Sequence, residues 1–152
     1  MTPKDWTIKP FKQEHADQII SYGMNHKLMQ IDASFKDNRI CLADRGNAYT
    51  LFFNNSPVVA GGICILWNGV AEGWVIANKN IFDIKFLAAK EIKIRTDELC
   101  KKNKIKRLQT TVKYNFKTGI RFASWLGFKP EGKMESYGPD GSDYYRMAKI
   151  YK

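Results

Sequence analysis

Lysines crowd the middle of this chain. Between Lys79 and Arg107 there are ten basic and four acidic side chains, a local charge of +6 within a total of +10. A positive field of that size draws anions of any kind: nucleic acid, an acidic protein or a phosphorylated cofactor. The same pattern is also what a solvated helix face looks like. Cys41, Cys64 and Cys100 are odd in number and far apart, with no Cys-x-x-Cys, so neither a disulfide framework nor a zinc site is expected. Cys64 stands in an apolar run, as a small buried thiol does. His15 and His26, the two histidines, have no ligand-spaced neighbours and read as surface or packing residues, so no metal site is expected.

The elements that must position these groups follow from composition and periodicity. With 152 residues, 44% hydrophobic and 13% aromatic, the chain is expected to fold as one domain spanning residues 1–152. No apolar run reaches the ~18 residues of a membrane helix, and the start of the chain lacks an apolar signal segment. The expectation is a soluble protein of the cytoplasm with no membrane partner.

Trp6–Phe11 reads as a strand. Ala16, Ile19, Ile20 and Met24 recur at helical spacing over Glu14 to Met24. A second short helix is expected around Lys27–Ile31. Asn47–Phe53, Val58–Trp67 and Val70–Ala77 read as a three-stranded antiparallel meander. Its turns are Asn54-Asn-Ser-Pro57 and Asn68-Gly69. Gly61-Gly62 inside the second strand marks a bulge or a close backbone approach. A long helix capped by Asn80 or Asp83 runs to about Lys102, with Ile84, Leu87, Ala88, Ile92 and Leu99 on one face and a Glu91–Arg95 pair beside them.

Ile105–Val112 is the next strand. A helix from about Phe116 to Leu126 follows, with Ile120, Phe122, Ala123, Trp125 and Leu126 on its apolar side, and Gly127 ends it in a left-handed turn. Strands at Lys133–Tyr137 and Asp143–Tyr151 flank a Pro139-Asp-Gly141 turn. The whole is α+β with a mixed sheet. A helix joining Val70–Ala77 to Ile105–Val112 makes those two strands parallel.

That order, with Asn115, a helix and then Trp125-Leu-Gly-Phe128, resembles the GNAT superfamily of acyl-CoA-dependent N-acyltransferases. Together with Tyr137-Gly-Pro-Asp-Gly-Ser-Asp-Tyr-Tyr145 it is also similar to small acetyltransferase-like proteins of tailed bacteriophages and to an internal virion protein of some short-tailed phages. The resemblance implies a mostly antiparallel central sheet of about six to seven strands flanked by helices, with one splayed parallel pair. It implies acetyl-CoA as co-substrate and an amine acceptor. The pantetheine arm would lie along Trp74, Val75, Ile76 and Ala77, and Asn115 belongs to the motif. The pyrophosphate would rest at the start of the following helix. The general base would be Glu72.

Two departures stand out against that pattern. The family's phosphate loop is glycine-rich, but Ala77-Asn-Lys-Asn-Ile-Phe-Asp-Ile84 holds no glycine, which leaves Lys79 and Lys85 as compensating charges. Ala123 stands where the family often has a tyrosine that protonates the departing thiolate, with Ser124 beside it. Tyr114 and Tyr137 are the residues available to replace it, and a thiolate with a pKa near ~8.5 can leave without a dedicated acid. Three functions follow in order: an acetyltransferase, a catalytically silent domain of the same build that serves a virion or binds a host protein, and, least favoured, a nucleic-acid binder.

Overall fold

The computed structural model describes residues 5–21 and 47–152. Its seven strands form one sheet in the order β1-β2-β3-β4-β5-β7-β6. The strands are β1 (Trp6–Pro10), β2 (Ala48–Phe53), β3 (Ser56–Trp67), β4 (Val70–Ala77), β5 (Arg107–Lys113), β6 (Lys129–Met134) and β7 (Tyr144–Ile150). All neighbours are antiparallel except β4 and β5, which run parallel as the intervening helix requires. The α-helices among the described residues are α1 (Gln13–Ser21), α2 (Lys85–Lys102) and α3 (Lys117–Leu126). The helix expected around Lys27–Ile31 lies outside the described residues, as do His26 and Cys41.

The meander forms as its turn residues dictate. Asn54 and Asn55 both take positive φ, 50° and 63°, the two left-handed residues of a tight hairpin turn. The glycine pair marks a close approach. A Cβ on Gly62 would collide with the Asn47 carbonyl oxygen and stand 2.6 Å from Ala48 Cα. Gly127 ends α3 at φ 107°, as its position predicts.

Helices cover both faces. α1 lays Ala16 and Ile19 against Phe11, Ala48, Ala60 and Ile76 on one face. On the other, α2 and α3 bury Leu99, Cys100 and Ala123 against Ile63, Ala71, Leu108 and Met147. Each fully buried Ile or Leu contributes about 1.5–3 kcal/mol relative to exposure. The end of β7 is fastened to α2 by Asp97, which accepts from the Tyr151 hydroxyl at 2.7 Å and Lys149 Nζ at 2.9 Å.

Several elements differ from the sequence expectation. β6 begins at Lys129, not Lys133, because it pairs with β7 from Lys129↔Ala148 onward. Trp125 is 52% exposed rather than part of the apolar side of α3. Ala123 faces the sheet, so Phe122 and Trp125 fall on the helix flank, where they stack on each other and Lys93 Nζ lies 5.1 Å from the Trp125 ring. Cys64 is half-buried rather than buried. The long helix is not capped by Asn80 or Asp83. Asn78 caps a 3-10 turn, Lys79–Ile84, that leads into α2. No helix among the described residues is long and apolar enough to cross a membrane.

His15 is a packing residue. It is buried, with Phe52 edge-on at 5.0 Å. Its Nδ1 lies 2.9 Å from Thr50 Oγ1 and accepts from the Lys12 amide at 3.1 Å. Burial holds its pKa below the usual 6.5.

Candidate functional site

The two parallel strands separate after three rungs. Val70↔Arg107, Ala71↔Leu108 and Glu72↔Gln109 are paired, and beyond them β4 and β5 diverge while β4 stays paired to β3 as far as Val59↔Ala77. This is the splayed pair. Strand alternation sorts the backbone groups along it. The Asn78 amide bonds Val58 O at 3.0 Å, so Asn78, Ile76 and Trp74 turn their backbone toward β3. Gly69 O accepts from Arg107 N at 2.9 Å, so Gly69, Ala71, Gly73, Val75 and Ala77 turn toward β5. Of the four residues expected along the pantetheine arm, Val75 and Ala77 thus present backbone donors and acceptors to the gap. Trp74 and Ile76 present theirs to β3.

Glu72 sits at the closed end of the gap. Both its carboxylate oxygens accept from Arg146 Nη1 at 3.1 Å, with the two side chains 29% and 24% exposed. Arg146 lies on β7, opposite Thr111 of β5, so this ion pair reaches across β5. Leu108 enters the core under α2 and α3, which puts its sequence neighbours Arg107 and Gln109 on the opposite face. There Arg107 donates to Gln109 Oε1 at 3.0 Å and grips Glu131 through both terminal nitrogens. That hydrogen bond draws the Glu131 carboxyl below its ordinary range. Glu72, Arg146, Gln109, Arg107 and Glu131 thus line one face of the sheet beside the vertex, with each carboxylate held by an arginine.

Tyr114 and Asn115 occupy the turn after β5, and Tyr137 lies before β7. Tyr114 is five residues past the last rung, roughly 16 Å along the strand from the vertex. It lies 4.6 Å from Tyr145, ring to ring, and hydrogen-bonds it, which pushes the Tyr145 phenol up. Lys133 Nζ lies 4.6 Å above the Tyr114 ring. Tyr137, 52% exposed, meets Tyr144 edge-on at 5.4 Å. The contacts of both tyrosines are to β6 and β7, on the far side of β5 from β4, so the fold does not bring them together with Glu72. Ala123 is packed in the core beside Leu108 and Phe128.

At the open end the chain satisfies its own donors. Asn78, fully buried, accepts from the Asn80 amide through its side chain at 3.0 Å and from the Ile81 amide through its carbonyl at 3.1 Å, and its Nδ2 donates to Pro57 O at 3.0 Å. Two amides at the head of the helical segment are therefore already bonded. Lys79 and Lys85 are exposed nearby, with Lys85 Nζ 5.2 Å from the Phe86 ring. A separate hollow beneath α2, lined by Tyr49, Gly61, Glu91 and Arg95, holds about 50 Å³, room for a few waters. That is far too small for a coenzyme. Among the described residues no three His, Cys, Asp or Glu side chains converge as metal ligands.

No known family profile matches the sequence, and no curated protein matches it. Solved structures do. Ard1 from Thermoplasma volcanium superposes with a TM-score of 0.79 over 97% of this chain and 98% of its own, at 16% identity. A GNAT-family acetyltransferase from Streptococcus pneumoniae gives 0.71 over 97% and 100%, at 15% identity. A ribosomal L7/L12 alpha-N-protein acetyltransferase in complex with coenzyme A gives 0.73 over 99% and 96%, at 14% identity. The fold is that of the GNAT acetyltransferases.

Arg146, Thr110 and Asn78 escaped the sequence reading. Asn78 had a signal, since asparagine just before a helical segment is among the best caps. Arg146 had none, because it meets Glu72 only through the sheet order.

Proposed function

We propose that this protein transfers an acetyl group from acetyl-CoA to a primary amine. The observation that carries the proposal is the parallel ladder that stops at Glu72↔Gln109 and frees the inward-facing backbone of Val75 and Ala77 to pair with an extended amide-bearing chain such as pantetheine. The coenzyme bound to the L7/L12 acetyltransferase, a structure of the same fold, supports acetyl-CoA as the donor.

In this scheme Glu72 takes a proton from the acceptor ammonium, directly or through water. The amine nitrogen then attacks the thioester carbonyl carbon, a C–N bond forms, the C–S bond breaks, and the nitrogen gives up its second proton to water. The Val75 amide donates to the carbonyl oxygen as charge builds on it. Solvent protonates the thiolate, and Tyr114 and Tyr137 are assigned to the entrance instead. Those tyrosines and Asn115 form the wall of the entrance, and Lys79 and Lys85 attract the phosphates as point charges. The site would operate wherever the chain resides, host cytoplasm or virion.

The test is thermal unfolding with acetyl-CoA or CoA. Ligand at 100 times its dissociation constant stabilises by about 2.7 kcal/mol, and an unchanged midpoint at millimolar CoA overturns the proposal. The Asn78 arrangement favours a second reading, a GNAT-fold domain without catalysis that contributes to a phage particle or binds a host protein. Such a domain co-purifies with its protein partner and ignores CoA.

A further inference from the structure

The closed end of the gap is held from both faces of the sheet. On one face Arg146 reaches across β5 to Glu72. On the other, the half-buried Thr110 donates its hydroxyl to the Gly73 carbonyl at 3.0 Å. Gly73 is the first residue of β4 beyond the last rung. Its carbonyl points at β5, in phase with Gly69 O, which accepts from the Arg107 amide. In a parallel ladder the acceptors recur every two residues on both strands. The donor due to meet Gly73 O is therefore the Thr111 amide, which by the same alternation faces β4. The Thr110 side chain occupies that acceptor instead.

We propose that Thr110 is a positioning residue that holds the gap open, by taking the Gly73 carbonyl that would otherwise extend the ladder by one rung. The inference rests on the acyl-CoA reading of the gap and states what sets its depth. With Gly73 O engaged, Val75 becomes the first residue of β4 whose backbone is free to meet a bound chain. Side-chain hydroxyls compete with backbone donors in this way elsewhere. A carbonyl left unbonded in a half-buried position would be driven to the nearest amide.

The test is residue-resolved amide exchange on the wild type, Thr110→Val and Thr110→Ser, each with and without millimolar acetyl-CoA. Valine keeps the β-branched shape and removes the donor. In the wild type, acetyl-CoA slows exchange at Val75 and Ala77 at least tenfold. In Thr110→Val the Thr111 amide is slowed at least tenfold without ligand, and acetyl-CoA affinity falls about tenfold. Thr110→Ser restores both wild-type values. The inference is overturned if Thr110→Val shows wild-type exchange at Thr111, if it binds acetyl-CoA as the wild type does, or if serine fails to rescue. A wild type indifferent to acetyl-CoA at Val75 and Ala77 removes the acyl-CoA reading itself, and this inference with it. Loss of protection throughout the sheet in Thr110→Val marks a purely structural role and also overturns it.

Discussion

The two ends of the β4–β5 gap are built on opposite plans. At the vertex, polar groups from three strands converge on the last rung: Glu72 on β4, Thr110 on β5 and Arg146 on β7. At the open end a single residue, Asn78, turns the local donors inward, accepting from the Asn80 and Ile81 amides. The vertex thus ties its strands to one another through side-chain hydrogen bonds. The open end spends backbone hydrogen bonds on closing a helix start that a glycine-rich loop would leave open to an anion. On the acyl-CoA proposal, a ligand of this gap would be gripped mainly along the strands, and its phosphates would meet lysines rather than a cradle of amides.

That contrast can be broken at either end. The largest effect is expected at the vertex. Glu72→Gln keeps the size of the side chain and removes the proton acceptor. It should lower acetyl transfer about 100-fold at saturating acetyl-CoA, with acetyl-CoA affinity held within threefold by calorimetry; equal turnover would assign the base elsewhere. At the open end, Asn78→Ala strands the Asn80 amide and the Pro57 carbonyl. It should cost about 2 kcal/mol in denaturant unfolding, and a cost under about 0.5 kcal/mol would mean that the cap is not what shapes this end.

Smaller effects sharpen the same comparison. Replacing Lys79 and Lys85 together by alanine should weaken CoA binding about fivefold at low salt, and the difference should shrink toward 0.5 M salt. A salt-independent loss would point to packing instead of charge. The smallest effect is expected far from both ends, at His15. Its pKa is lowered on folding by burial, so the unfolded chain binds the extra proton more readily. This contribution is fully present above the unfolded value of 6.5. It is lost progressively as pH falls from there through the folded value. Wild-type stability should therefore decline on acidification through that window, and His15→Gln should flatten that part of the curve. An unchanged slope would remove His15 as the cause.

Most of the fold was legible from local signals. Asn54-Asn55 and Asn68-Gly69 set the meander, Gly127 ended α3 in the left-handed region, and the helix between β4 and β5 required them to run parallel. Trp125 was misassigned because a short helix rich in apolar residues offers more than one face for burial, and the face turned to the core is that of Ile120, Ala123 and Leu126. The start of β6 was missed because Lys129-Pro-Glu-Gly132 carries no strand pattern, and its pairing is dictated by β7. In the candidate site, Glu72 and the stretch Trp74–Ala77 were chosen by position in the strand order. Which of those four backbones face the gap was not legible, because phase depends on the register with β3.

By itself the sequence determined the order of elements, the turns between them, and the absence of glycine from Ala77 to Ile84, since each of these is written in neighbouring residues. Only the tertiary structure decided that Arg146 stands over Glu72, that Thr110 takes the Gly73 carbonyl, and that Asn78 reaches back to Pro57. The Glu72–Arg146 partners are 74 residues apart, and no local preference encodes a contact that exists only once β5 has been inserted between β4 and β7.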